Sequence, residues 1–379
     1  MTQFKLTVLT PLLVGGGERL SPIDYMIWKD QVNVLDQQRI FRLLAQGPRL
    51  DPYLTQLRRA DKLDFASWGG FAQNYAGRRI PFEHASMTPI WNSAPSDQLF
   101  IPTFCAGPSG AYLPGSAVKG ALRTGYVFTR WNPGVVKEIA ARVEGERGLR
   151  RPGAAAENMA LGASGYDPMR VIHTGDSATI ANAQFKVYLI RVSTLTPKGN
   201  AFETGWKMAP RGTAPRPEQA SPIFAEMAIP GTEFGGAWRQ DEFLRSAEIA
   251  RQMHWSGKHG QQEILNAANA FARHLLGEQK KYAEATRLSR VAESLTRLEG
   301  ELQGLGNGSC LLNLGWGGGL LSKSPVPNAG DEDYRRIVRT LPFYERAVRS
   351  GLPFPKTRKI LFLGGEPGTM PGWVRLEVA

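Results

Sequence analysis

The sequence predicts an α+β fold in two domains with insertions, and three observations carry that expectation. Strand-like runs stand near both ends, at Phe4–Thr10 and Trp373–Val378. The stretch 239–305 has helical periodicity, with Leu288, Val291, Leu295, Leu298, Leu302 and Leu305 at spacings of three and four. The 379 residues are 42% hydrophobic, long enough for two domains and apolar enough for real cores.

The elements follow from local chemistry. Phe4–Thr10 alternates as a strand and stops at Pro11, and a glycine loop, Gly15-Gly16-Gly17, comes next. Tyr25–Trp28 and Val32–Leu35 read as a hairpin, and Asp36 can cap a short helix that Gly47-Pro48 ends. Residues 48–100, punctuated by Pro and Gly, read as an insertion. Pro114-Gly115 turns the chain, Ser116 suits an N-cap, and a helix runs to about Phe128. The small-residue-rich segment 133–160 reads as partly mobile. Val171–Ile180, Phe185–Val192 and Phe224–Ile229 read as strands, and Gly231–Gly236 as a turn. Asp331 can cap a helix through Thr340, and Ile360–Leu363 and Trp373–Val378 close the chain as strands. The expected division is 1–193, a thumb-like hairpin or loop at 194–222, and 223–379 with its helical insertion at about 239–305.

Charge and cysteine usage narrow the partners. The formal net charge is +12 and the pI about 9.8. The excess gathers at Arg147–Arg151, Lys198–Arg216 and Arg335–Lys359 and not in one tail, so a folded basic surface facing a polyanion is expected. No run approaches the roughly 18 apolar residues of a membrane span, and the N-terminus reads as a strand and not a signal peptide. Only Cys105 and Cys310 occur, far apart, which points to the cytoplasm and away from a zinc site.

The richest motif runs from Leu311 to Ser324, an apolar stretch opening into Gly315-Trp-Gly-Gly-Gly319 and then Ser322-Lys323-Ser324. Free amides at Gly317, Gly318 and Gly319 suit an anion. Lys323 adds a mobile charge, Ser322 a donor, and Trp316 a face for a base. A P-loop would need Gly where Ser322 stands, and a dinucleotide fingerprint would need Gly at Leu320. A tight structural turn explains the same residues. At the Pro-Gly helix, Ser116, Lys119 and Arg123 fall at i, i+3 and i+7 on one face, suited to phosphate at the helix start. An ordinary amphipathic helix with a solvated basic face is the alternative. In 194–222, Trp206, Phe202 and Met208 interleave with Lys198, Lys207, Arg211 and Arg216, as in a finger laid across a nucleic-acid groove.

No conventional active site is legible. His84, His173, His254, His259 and His274 form no HExxH, no GxSxG occurs, and neither a metal nor a cofactor is expected. A single His could still serve a metal-independent ribonuclease.

Four segments in order carry a family resemblance: Val14-Gly-Gly-Gly17 with Leu20-Ser-Pro-Ile-Asp-Tyr25, Leu113–Arg123, Glu203-Thr-Gly-Trp-Lys207 and Leu314–Lys323. Together they resemble the RAMP (repeat-associated mysterious) proteins of CRISPR–Cas type III-A systems, most closely the Csm subunit conventionally numbered five. Ala117-Val118 replaces the commoner Ser-Leu of the helix motif. The resemblance implies tandem ferredoxin-like (RRM-like) domains and a non-catalytic subunit that caps the 3′ end of the crRNA. It implies phosphate contacts from Gly15–Gly17, Ser116, Lys119, Arg123, Gly317–Gly319 and Lys323, with 194–222 as a thumb wedged between bases. The implied partners are the 3′ region of the crRNA, target RNA, an adjacent backbone RAMP subunit, the small helical subunit and host trimming nucleases, with no membrane. Two alternatives stand beside it: a RAMP-type guide-processing endoribonuclease using His84 or His173, and a backbone RAMP subunit.

Overall fold

The computed structural model describes residues 2–59, 62, 74–145, 152–199, 201–255, 260–326, 330–349 and 351–379; the basic cluster Arg147–Arg151 and His259 lie outside them. Two antiparallel sheets organise the chain. In the first, the neighbours are Ser309–Asn313, Trp373–Val378, Thr2–Val8, Glu233–Gln240 and Ile172–Ser177. Phe4, Leu6 and Val8 alternate into the core, as a half-buried strand requires. Leu6 pairs with Phe234 on one side and Leu376 on the other, so segments distant in sequence share this sheet. Helices Gly115–Phe128 and Gln261–Ala285 pack on each other and on the edge strands.

The second sheet is built on one long strand, Phe185–Lys198. Along one edge it pairs with Thr357–Leu363; along the other with Ile223–Ala228 and then Ala201–Lys207. The strand was expected to end at Val192. It continues because Ser193–Lys198 finds partners in Trp206–Ala201, so 194–222 begins as a hairpin rooted in the sheet. Between the sheets, Leu12 exchanges backbone hydrogen bonds with Ala228 at 3.1 and 2.8 Å, carrying the first strand out into the first glycine loop.

The leucine stripe packs within this chain. It lies on helix Ser289–Gln303, antiparallel to Gln261–Ala285, with Val291, Leu295, Leu298 and Leu302 buried. The hairpin Tyr25–Trp28 with Gln31–Leu35 forms and gains a third strand, Ala76–Pro81. Asp36 and Asp331 cap helices Gln37–Leu44 and Glu332–Arg339, accepting from the amides of Arg39 and Tyr334.

Other expectations change. The segment 133–160 contains helices Pro133–Gly145 and Pro152–Leu161; Val135, Val136 and Ile139 of the former join Tyr334, Ile337 and Phe354 in a satellite core. Gly231–Gly236 is not all turn, since strand Glu233–Gln240 starts inside it. Gly236 sits against the Phe4 ring, where any Cβ would overlap the ring, so this glycine serves close approach and not chain reversal. Helices Leu50–Arg59, Met87–Ser93 and Pro342–Arg349 carry too little sequence signal to be expected. Among the described residues no helix is long and apolar enough to cross a membrane.

Candidate nucleic-acid interface

Three of the motifs meet at one groove of about 620 Å³. Leu13–Gly15, Gly17 and Arg19 form one wall, the start of helix Gly115–Phe128 a second, and Asn313–Trp316 with Ser322 and Lys323 the third. The first loop is held at its ends, where Cys105 donates to the Val14 carbonyl (2.8 Å) and Thr103 to that of Glu18 (3.2 Å). Between those bonds Gly15, Gly16 and Gly17 are exposed, and their amides have no acceptor among the described residues.

The third loop is fixed against the first. Trp316 donates its amide to the Leu13 carbonyl at 2.7 Å, and Leu314 donates to Gly372 at 2.9 Å. At Gly315 the backbone has φ +80°, and a Cβ would come closer than 3.0 Å to the Leu13 carbonyl oxygen, so only glycine fits this crossing. Ser322 is buried and donates to the Gly319 carbonyl, so it shapes the loop. Lys323 is exposed at the rim. The ammonium of Lys359 lies 4.7 Å from the centroid of the Trp316 ring, and the half-buried ring packs against the main core while bordering the groove.

The helix start differs from the expected one. Pro114 is the N-cap residue and makes no side-chain cap bond of its own; Ser116 is in the first turn, exposed, on the groove wall. The Gly115 amide donates to the Asp176 carboxylate at 2.8 Å, and Thr174 donates to the Gly115 carbonyl at 2.7 Å. The helix dipole therefore already has an internal anion.

Lys119 and Arg123 are not on the groove wall; the helical wall is Ser116, Ala117, Gly120, Ala121 and Thr124. Arg123 is committed to ion pairs with Glu157 (2.8 Å) and Asp167. Lys119 is half-buried without a carboxylate partner among the described residues. Burial, then the neighbouring Arg123, pushes its pKa down, and Lys119 in turn contributes to the lowered pKa of His173. A stripe of Ser, Gly and Thr at i, i+4 and i+8 was the available signal for the true wall, because small side chains let a backbone come close. Arg19, over the Phe100 ring at 4.2 Å, and Glu18 were also missed.

Other expected residues separate. Gly317, Gly318 and Gly319 line a smaller cavity behind the third loop instead of the groove. Trp206 is 3% exposed, edge-on to Phe362 in the core, so its ring is not offered to a base. In that hairpin Phe202 and Met208 are the exposed apolar side chains. Lys207, at the end of strand Ala201–Lys207, and Arg211, in the bend after it, are exposed and outside the groove lining.

The open face of the first sheet is a poor alternative surface. Its exposed residues include Gln3, Lys5, Glu233, Gly235, Ala237, Arg239 and His173, and the one ring among these is the His173 imidazole at the sheet edge, whereas sheet readers of RNA stack two or three bases on aromatic side chains. Lys5 there is paired with Glu233 and Glu377, both at 3.4 Å.

Acid–base groups are scarce in the groove: its lining holds no His and one carboxylate, Glu18. His84 is bonded to Ser86 and His173 lies 4.0 Å from Asp241, both outside that lining. Among the described residues no cluster of His, Cys, Asp and Glu could hold a metal ion.

No family model matches the chain. It is 20% identical to "CRISPR system Cms protein Csm5" of Methanocaldococcus jannaschii, over 99% of this chain and 88% of that protein. Its fold matches a chain of a cryo-EM structure of a Csm–crRNA–target RNA ternary complex of a type III-A CRISPR–Cas system, with TM-score 0.71 and 21% identity over all of both chains. It also matches the crystal structure of Csm5 from T. onnurineus, with TM-score 0.63 and 19% identity over 98% of this chain and 99% of that one. The resemblance drawn from the glycine motifs is borne out over the full length of the chain.

Proposed function

We propose that this chain, Csm5-like in sequence and fold, is the crRNA-binding subunit of a type III-A effector complex, holding the 3′ portion of the guide as a non-catalytic cap. The supporting observation is the meeting of two glycine loops, the Trp316 ring and a small-residue helix face in one groove. Bare amides and Lys323 can follow a ribose–phosphate strand without reading it, as guides of differing sequence require. Trp316 accepts any base, since each has a π-face. The first sheet with its two helices reads as one ferredoxin-like unit, and the sheet around Phe185–Lys198 as the framework of a second.

Docking on a backbone RAMP subunit and the small helical subunit would end the filament and leave the guide end to trimming nucleases. Exposed Trp28, Phe41 and Leu43 are the kind of apolar surface a protein partner covers. The test is retention of guide RNA in the assembled complex and binding of single-stranded RNA by the purified chain. Lys323→Ala should reduce both while melting stays unchanged, and adding Trp316→Ala should reduce them further in the folded fraction. Full RNA retention by that double variant would refute the groove, and metal-independent cutting of repeat RNA by the wild-type chain in EDTA would refute the non-catalytic role.

A further inference from the structure

The Gly315–Gly319 loop, the third of the interface, has a back as well as a front. Behind it lies a cavity of about 290 Å³, walled by Gly317, Gly318, Gly319, Thr357, Arg358 and Lys359. No carboxylate lines it. The amides of the three glycines have no acceptor among the described residues. Arg358 is held rigid, donating to the carbonyls of Pro355 (2.7 Å) and Thr357 (2.9 Å) and lying over the Tyr282 ring at 4.6 Å. Lys359 is half-buried on strand Thr357–Leu363, and its ammonium has neither a hydrogen-bond acceptor nor a carboxylate among the described residues. Burial, then the charge of Lys323, lowers its pKa, which brings a second cation within electrostatic reach from the rim.

Two cations and three unengaged amides around a cavity free of acids make a place for an oxyanion. We infer that this cavity is a separate phosphate site, taking one phosphodiester of the bound RNA on the side of the loop away from the groove. The strand then straddles the loop: Lys323 holds a phosphate in front and Lys359 one behind. Trp316, braced on one face by Lys359, divides them. This rests on the groove being the RNA path.

The experiment measures affinity of the full chain for single-stranded oligouridylate across a salt series. Lys359→Gln should weaken binding several-fold and make the slope of log affinity against log salt shallower by about 0.7, the share of one phosphate on a single strand. Lys359→Arg should keep both. Lys359→Met, which keeps the stem length, replaces Gln if melting shifts. A folded, charge-neutral variant with wild-type affinity and slope overturns the second site. Lys323→Ala separates the two ideas: if it weakens binding while Lys359→Gln does not, only the rear site falls; if neither does, the groove falls too.

Discussion

Replacing Gly315 by alanine tests whether the third loop is built by its crossing with the first. Two costs add. A side chain at φ +80° carries about 1–2 kcal/mol of left-handed strain. The Cβ would also fall closer than 3.0 Å to the Leu13 carbonyl oxygen, a backbone atom that cannot swing aside. Relief means separating the two segments, which breaks the 2.7 Å bond from the Trp316 amide to Leu13, worth roughly 0.5–1.5 kcal/mol. The sum is about 1.5–3.5 kcal/mol. Gly319→Ala is the control: its φ is +76°, but an added Cβ meets nothing within 4 Å, so only the conformational cost of about 1–2 kcal/mol applies. Urea unfolding of both variants, read as midpoint shifts at constant slope, separates the terms. Gly315→Ala should be the less stable by about 0.5–1.5 kcal/mol and should bind RNA more weakly, because the Trp316 wall moves. Equal destabilisation would refute the claim that the loops are locked together at Leu13.

Trp206→Ala should cost about 3–5 kcal/mol of stability and leave the RNA affinity of the folded fraction unchanged; a specific loss of binding at full stability would return the ring to the interface. Arg123→Ala should cost roughly 1 kcal/mol, discounted for partial exposure, with RNA affinity intact, as checked by melting and filter binding; weaker RNA binding at unchanged stability would show the guanidinium free to leave its carboxylates. His274 and His173 have pKa values pushed down, in both cases chiefly by burial, so the unfolded chain binds more protons in the window just below pH 6.5. Their contribution to stability is complete above that window and is lost as pH falls through the folded values. Melting temperature should therefore drop on acidification from pH 7.5 to 5.5, and His274→Gln should flatten the drop; an unchanged slope in that variant would remove His274 as a cause.

What was legible in the sequence was local. Asp36 and Asp331 announce their helices through a side chain that reaches an amide three residues on. The leucine stripe names its own buried face. The glycine loops are visible because no other residue gives a chain that freedom. Direction was not legible. Trp206 turns inward because Phe362, far along the chain, offers it a partner. Lys119 and Arg123 have helical spacing on one face, yet Glu157 and Asp167 decide where Arg123 points. Lys359 was lost within a broad basic cluster, since nothing nearby in sequence shows that its ammonium reaches the Trp316 ring.

Leu6 lies between Phe234 and Leu376 in the middle of its sheet, a placement with a cost during synthesis. At ribosomal speed, that strand waits on the order of tens of seconds for its second neighbour to emerge. Through that interval its apolar edge is exposed to every other nascent chain, so a holding chaperone should raise the soluble yield more than any strengthening of the finished core.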